Sequence, residues 1–161
     1  MLKEFEPVNK EIVTLINAWE TILWGLPEDI ITQKRNCQNR TIKQILGHLV
    51  DSASNNTHRI IHLQYQDSPL VFPNYASNGN NDRWIAIQNY QQEDWNLLIS
   101  LWKYSNLHLL HVIDNIIPSK LDNQWICSSE KLISLRNMVV DYLRHLKLHL
   151  GEIEDLMKKQ H

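Results

Sequence analysis

The chain has 161 residues, a net charge of −2, 43% hydrophobic residues and a mean hydropathy of −0.38. That length fits a single domain spanning 1–161, with a core that needs no staples. Balanced charge without runs of one sign excludes an electrostatic footprint for nucleic acid, and the lack of any apolar stretch of ~18 residues excludes a membrane span.

The hydrophobic pattern predicts four amphipathic helices in chain order. The first runs over 7–24, with Pro7 in its opening turn, Val8, Ile12, Leu15, Ile16, Trp19, Ile22 and Leu23 inward, and Gly25 and Pro27 ending it. Residues 28–40 read as a connection with a short helical turn near 28–32. The second helix covers 41–64 and opens on Thr-x-x-Gln, the form of a capping box. Its apolar stripe is Ile42, Ile45, Leu46, Leu49, Ala53 and Ile60. Residues 65–91, rich in Asn, Ser, Gly and Pro, read as a long connection, either a functional lid or a surface loop without a role.

A third helix covers 93–117, with Trp95, Leu98, Ile99, Trp102, Leu109, Ile113 and Ile116 on its stripe and Asn106 interrupting it. Asn106 is either a core asparagine paired with backbone or a contact near a substrate. After 121–130 the fourth helix starts, capped by Ser134, and ends near Lys158. Four such helices without period-2 segments or internal repeats predict an all-α four-helix bundle, its helices packed antiparallel. Cys37 and Cys127 form no CxxC pattern and read as free thiols. The amino-terminal residues carry no basic segment followed by an apolar run, so a soluble, cytoplasmic protein is expected.

Candidate chemistry lies on helices two and four. On helix four, Leu135, Met138, Val139, Tyr142, Leu146, Ile153 and Leu156 form the buried stripe, His149 lies on it, and His145 points the same way. Two imidazoles at i, i+4 can share one metal ion, or they can be core-edge histidines bonded to neighbours. On helix two, His48, Ser52, Asn55 and Arg59 form a row of small polar groups ending in one arginine. Such a row is either a solvated face or a cavity wall. His58 and His62 project away from the stripe towards solvent, about 15–21 Å along the axis from His48. His108 and His111 read as surface residues. Trp19, Trp24, Trp95 and Trp102 belong to core or interface, while Trp84 and Trp125 fall in connections and hint at a pocket lid. Asp51 turns away from His48, and Glu152 flanks the helix-four seam without an assigned task.

The stretch Thr41-Ile-Lys-Gln-Ile-Leu-Gly-His-Leu-Val-Asp-Ser52, followed by Asn55 to Arg59, and the stretch Tyr142-Leu-Arg-His-Leu-Lys-Leu-His-Leu-Gly-Glu-Ile153 resemble the DinB-like superfamily, closest to its YfiT-like branch. Phe72-Pro-Asn-Tyr75, Trp84, the segment from Trp95 to Asn106 and Ile117-Pro118 extend the likeness over nearly the whole chain. The chain departs from the pattern at Arg40, where a tryptophan commonly precedes the Ser/Thr-Ile-Lys start. The resemblance implies a four-helix bundle in which His48, His145 and His149 hold a divalent metal, with open positions for water or substrate. It also implies a homodimer acting on a small-molecule substrate, with a low-molecular-weight thiol or water activated for transfer, isomerisation or hydrolysis. Zn, Ni and Fe all suit imidazole. Within that picture Arg59 and Asn55 orient an anionic or polar substrate and Asn106 supports the site. The competing expectation is a metal- or ligand-binding, stress-linked protein without turnover.

Overall fold

The structure, a computed structural model, describes residues 2–128 and 131–158. Its elements are α1 (Glu6–Trp24), α2 (Glu28–Gln33), α3 (Ile42–Tyr65), α4 (Asn80–Gln88), α5 (Trp95–Asp114), β1 (Gln124–Ser128), β2 (Lys131–Ser134) and α6 (Leu135–Lys158). Helices α1, α3, α5 and α6 make the expected four-helix bundle, but its packing is not antiparallel throughout: α1/α5 and α3/α6 are antiparallel, while α3/α5 and α1/α6 are parallel. Among the described residues no helix is long and apolar enough to cross a membrane.

Local chemistry sets the helix ends. The capping box at the start of α3 is complete: Thr41 Oγ1 accepts from the Gln44 amide at 3.3 Å, and Gln44 Oε1 accepts from the Thr41 amide at 3.0 Å. Asp94 caps α5 by accepting from the Leu97 amide at 2.8 Å, and Ser134 Oγ accepts from the Asn137 amide at 3.2 Å at the start of α6. Pro7 lies in the first turn of α1, and Gly25 follows its last residue.

Side-chain bonds between helices give the bundle its directions. Asn9 Nδ2 donates to Asp114 at 2.6 Å and Trp95 Nε1 donates to the Leu23 carbonyl at 3.1 Å, so α1 and α5 run antiparallel. Helix α3 runs antiparallel to α6, since Ser52 meets His145 while Asn123, whose carbonyl receives the first amide of α6, bonds back to Leu63. The remaining neighbours run in the same direction. Lys43 reaches the Gln91 carbonyl just before α5 and Gln64 meets Ile117 just after it, while Glu4 and Glu11 pair with Arg136 and Lys147. Two parallel neighbours cannot be joined by a short turn. After the 24 residues of α3, about 36 Å of helix, the chain must return the whole length of the bundle before α5 can start beside it. That return is the connection after α3, and α4 occupies its second half.

Helix α4 and the β1–β2 hairpin were not expected from the sequence. Helix α4 follows Gly79, whose φ of 71° lies in the left-handed region, and ends before Asn89 at φ 50°. The hairpin pairs Trp125 with Ile133 and carries a bulge between Ile126 and Ser128. Leu70 adds a third line, with Leu70 N–H donating to the Gln124 carbonyl at 2.7 Å and Ile126 N–H to the Leu70 carbonyl at 3.0 Å. Glu130, at the end of the expected connection, lies outside the described residues.

The predicted stripes of the second, third and fourth bundle helices are buried throughout, and Trp102 is fully enclosed. Three positions differ from expectation. Trp24, expected in core or interface, is exposed as the last residue of α1. Ile22 on α1 is exposed, while Leu23 beside it is fully buried and its carbonyl accepts from Trp95, so the last turn of α1 faces α5 through Leu23. His62 is half-buried because Phe72 folds over it at 5.2 Å, and its Nδ1 meets the Tyr65 hydroxyl at 2.6 Å.

Gly47 is the residue that lets the returning connection close onto α3. A Cβ there would overlap the Tyr90 ring, whose hydroxyl donates to buried Asp51 at 2.7 Å. Asp51 Oδ1 also accepts from Gln88 Nε2 at 2.7 Å, so the three residues form one bonded group behind the helix. Gly151 on α6, by contrast, has nothing within 4 Å of its would-be Cβ. Gly47→Ala is therefore expected to displace the ring and cost about 1–3 kcal/mol, roughly 5 °C in Tm. Gly151→Ala is expected to stabilise by about 0.5–1 kcal/mol, since alanine is the better helix former. Thermal unfolding of the two variants checks both signs.

Candidate metal centre

Antiparallel packing of α3 on α6 places His48 opposite His149 and Ser52 opposite His145. The ring centroids lie 4.6 Å apart for His48 and His149, 5.4 Å for His48 and His145, and 4.5 Å for His145 and His149. One nitrogen from each ring falls within 4.8 Å of the other two. The three histidines are thus brought to one point from two helices. His58 is exposed on the far side of α3, and His108 and His111 are exposed on α5.

The outer nitrogens are held by neighbours. His149 Nδ1 donates to Glu152 Oε2 at 3.0 Å; an ionised carboxylate only accepts, so the hydrogen sits on Nδ1 and the Nε2 lone pair points inward. Glu152 is itself fixed by Asn36 Nδ2 at 3.1 Å. Ser52 Oγ lies 3.3 Å from His145 Nδ1, and the two Nε2 atoms are 3.1 Å apart. Without an ion, His145 can donate its Nε2 hydrogen to His149 while Ser52 donates to Nδ1. With an ion, His145 would take the other tautomer, its Nε2 lone pair facing the ion and its Nδ1 hydrogen donated to Ser52, whose hydroxyl would rotate to accept it.

Electrostatics favour the donor form of the rings. Burial pushes His48 down to about 2, with His149, His145 and Arg40 adding to the effect. Burial also pushes His145 down to about 4, aided by His149 and opposed by Asp141. Both rings are therefore neutral at pH 7, the state that ligates. His48 Nδ1 is buried and has no hydrogen-bond partner, at a cost of about 1–3 kcal/mol. The neutral donors, the 3.1 Å separation and the carboxylate behind one ring match a divalent cation. Two ring nitrogens each about 2.1 Å from one ion, at nearly a right angle, would be that far apart.

Beside the histidines lies a cavity of about 230 Å³, whose walls include Ser52, Asn56, Arg59, Tyr75, Trp125, Cys127, Asp141, Tyr142 and His145. The α3 polar row is buried rather than a solvated face, and two of its four members, Ser52 and Arg59, line this cavity. Arg59 is 5% exposed, with its guanidinium 3.6 Å over the Trp125 ring. Asn55 is turned aside, its amide donating to the Asp51 carbonyl at 2.9 Å, and Asn56, one residue on, lines the cavity instead. Asn106 does not reach the cavity directly. It donates to the Trp102 carbonyl at 2.8 Å and accepts from the Tyr142 hydroxyl at 2.6 Å, so it holds in place a tyrosine that does.

Sequence reasoning missed Tyr75 and the task of Glu152. Tyr75 comes from the connection after α3, with its ring 5.9 Å from His48 and its hydroxyl bonded to Ser52, and burial raises it to about 12. It stands in the Phe72-Pro-Asn-Tyr75 stretch that carries part of the resemblance, but no periodic signal assigned it a role. The Glu152 contact was available as an i, i+3 pair with His149. Trp125 supplies the cavity wall expected of it. Trp84 packs on Tyr75 at 5.6 Å, and Arg40, buried, holds Asp82 of α4 at 2.5 Å. Cys37 and Cys127 are both free, as expected.

No protein-family model matches the chain, and no curated protein matches its sequence. Solved structures share its fold, two of them as follows. YfiT from Bacillus subtilis, described as a probable metal-dependent hydrolase with an unusual four-helix bundle topology, superposes with a TM-score of 0.80 at 15% identity, over 97% of this chain and 87% of that one. A mutant of mycothiol-dependent maleylpyruvate isomerase superposes with a TM-score of 0.70 at 11% identity, over 90% of this chain and 60% of that protein. The chain thus has the YfiT-like four-helix-bundle fold, with a three-histidine cluster between its second and fourth bundle helices.

Proposed function

We propose that this chain is a metal-dependent enzyme acting on a small molecule, with His48, His145 and His149 as ligands of one divalent cation. The observation that carries this reading is the convergence of three ring nitrogens beside a cavity, with Glu152 and Ser52 against the outer nitrogens of two of the rings. A cation bound by neutral imidazoles keeps its full charge, so it would lower the pKa of a bound water from 15.7 to about 7 or deprotonate a bound thiol. The names of the two neighbours fit both chemistries, hydrolysis by water and isomerisation with a low-molecular-weight thiol.

The chain's own residues would do the rest. Glu152 and Ser52 orient the rings, and Tyr75 and Tyr142 exclude bulk water from the cavity wall. Asp141, exposed and paired with Arg144 at 2.6 Å, is the carboxylate lining the cavity and would carry a proton out. A second reading, binding without turnover, draws on one observation. Among the cavity-lining residues Asp141 is the only carboxylate, and its partner Arg144 holds it below the usual carboxylate range. Metal titration with no reaction across thiol and hydrolase panels would favour that reading.

Elemental analysis of protein purified without a histidine tag is expected to show about one equivalent of divalent metal in the wild type. His145→Ala and His149→Ala should lose it, and His58→Ala should keep it. Retained metal in His149→Ala, with unchanged thiol-transfer and hydrolase activities, overturns the proposal. Glu152→Ala is expected to weaken metal affinity about 10–100-fold, read by competition with a chelator, while leaving the fold intact because the side chain is half-buried at the edge of the bundle.

A further inference from the structure

Arg59 is the charge in this bundle that the fold does not explain. It is 5% exposed, and its Nε is buried without a partner. Among the described residues its guanidinium makes no hydrogen bond or ion pair; its contacts are the faces of Trp125 at 3.6 Å and Phe72 at 5.6 Å. Stacking engages the flat face of a guanidinium and leaves its in-plane N–H donors unused. Burial lowers Arg59 to about 10, which keeps it cationic at pH 7. Buried charges are otherwise paired or bound to ligands, because an unpaired one costs several kcal/mol.

The surroundings look built to hold this arginine in place. Trp125 donates its Nε1 hydrogen to the Phe72 carbonyl at 3.1 Å, and Leu70 bonds to the same strand on both sides. The hairpin and the connection after α3 therefore form one unit that presents an aromatic platform to the guanidinium, at one end of the cavity whose wall also includes His145. The rest of that wall joins the apolar Tyr142, Met138 and Ile133 to the uncharged Ser52, Asn56 and Asn74, with one carboxylate, Asp141, whose charge is paired with Arg144. Arg59 is the one cationic side chain lining it, which suits a single negative charge; a phosphate dianion would want more than one cation.

We infer that Arg59 and Trp125 form a carboxylate subsite, so that the substrate is a small molecule with an apolar body and one carboxylate, held by the guanidinium fork with its other end towards His145. This rests on reading the cavity as the reaction site but does not require the metal. The carboxylate supplies the two in-plane acceptors that Arg59 lacks, and Trp125 fixes the plane in which they must lie.

Calorimetric titration with phenylacetate, hexanoate, the neutral phenethyl alcohol and phenyl phosphate tests it, on wild type, Arg59→Met, Arg59→Lys and metal-free His149→Ala. The expected result is saturable binding of a carboxylate at least about tenfold tighter than of the alcohol or the phosphate ester. Arg59→Met should lose at least about tenfold in carboxylate affinity, Arg59→Lys should fall between, and His149→Ala should retain binding. Arg59→Met should also unfold no lower than wild type, since it removes an unpaired buried charge at similar volume. The inference is overturned if neither carboxylate binds, if the phosphate ester binds as tightly, or if Arg59→Met binds carboxylate as the wild type does. Carboxylate binding that His149→Ala loses and Arg59→Met keeps would move the anion to the histidine cluster, sinking this inference while supporting the metal reading. A large fall in Tm with unchanged affinity would make Arg59 structural.

Discussion

The antiparallel contact between α3 and α6 is the constraint on which the centre of this molecule depends. An i, i+4 pair on α6 brings two imidazoles to one side of a helix but leaves them with half a coordination sphere. Only when α3 lies alongside, running the other way, does His48 fall opposite His149 and Ser52 opposite His145. The core that holds this contact is apolar on both sides, from Ile45, Leu49 and Ala53 on α3 to Val139, Leu146 and Ile153 on α6, all fully buried. A helix contact made of side chains that differ in shape has one good register. The geometry of the histidine cluster is thus inherited from hydrocarbon packing and tuned by a few hydrogen bonds.

The connection after α3 follows from the same topology. Parallel packing of α3 and α5 forces the chain back along the bundle, and the protein uses that length. Its early part supplies Leu70, Phe72 and Tyr75 to the hairpin and the cavity, while its later part supplies α4 and Tyr90 to the back of α3. Tyr90 can sit there because residue 47 has no side chain. Arg40 and Asp82 tie the start of α3 to α4. Burial of polar residues along α3, including Asp51, Ser52 and Arg59, is the consequence of covering this helix on nearly every side. It is the central strut, and its polar groups are either paired, as Asp51 is with Tyr90, or turned towards the cavity.

Among the buried side-chain atoms without a hydrogen-bond partner, two on α3 bear on the site, the Nδ1 of His48 and the Nε of Arg59; Asp51 Oδ2 and Trp102 Nε1 are others. A protein tolerates such groups when something else completes them. The histidine cluster offers neutral donors, which suits a cation, and the arginine offers fixed positive charge, which suits an anion. Their placement about 16 Å apart along α3, with one cavity touching the wall between them, gives a site with two poles rather than one.

Much of this was legible in the residues. Hydrophobic periodicity placed the four bundle helices and their buried faces, Thr41 to Gln44 marked the start of α3, and the inward direction of His145 and His149 followed from their place on the α6 stripe. These are local properties, repeated every few residues and readable without knowing what the helix packs against. The in-row position of Arg59 was equally local. What the sequence left open was every question of partner. Asn55 and Asn56 differ by 100° of helix rotation, and which of them meets the cavity depends on where the neighbouring hairpin sits. Asn106 reaches Tyr142 across the core, Glu152 gains a role from Asn36, and Tyr75 arrives from a connection with no periodic signal. The α4 helix and the hairpin escaped notice because each is short and stabilised by contacts with α3 and Leu70 rather than by its own pattern. Helical faces follow from sequence because turn geometry is fixed; the pairing of those faces, and so the site, was decided by packing between segments far apart in the chain.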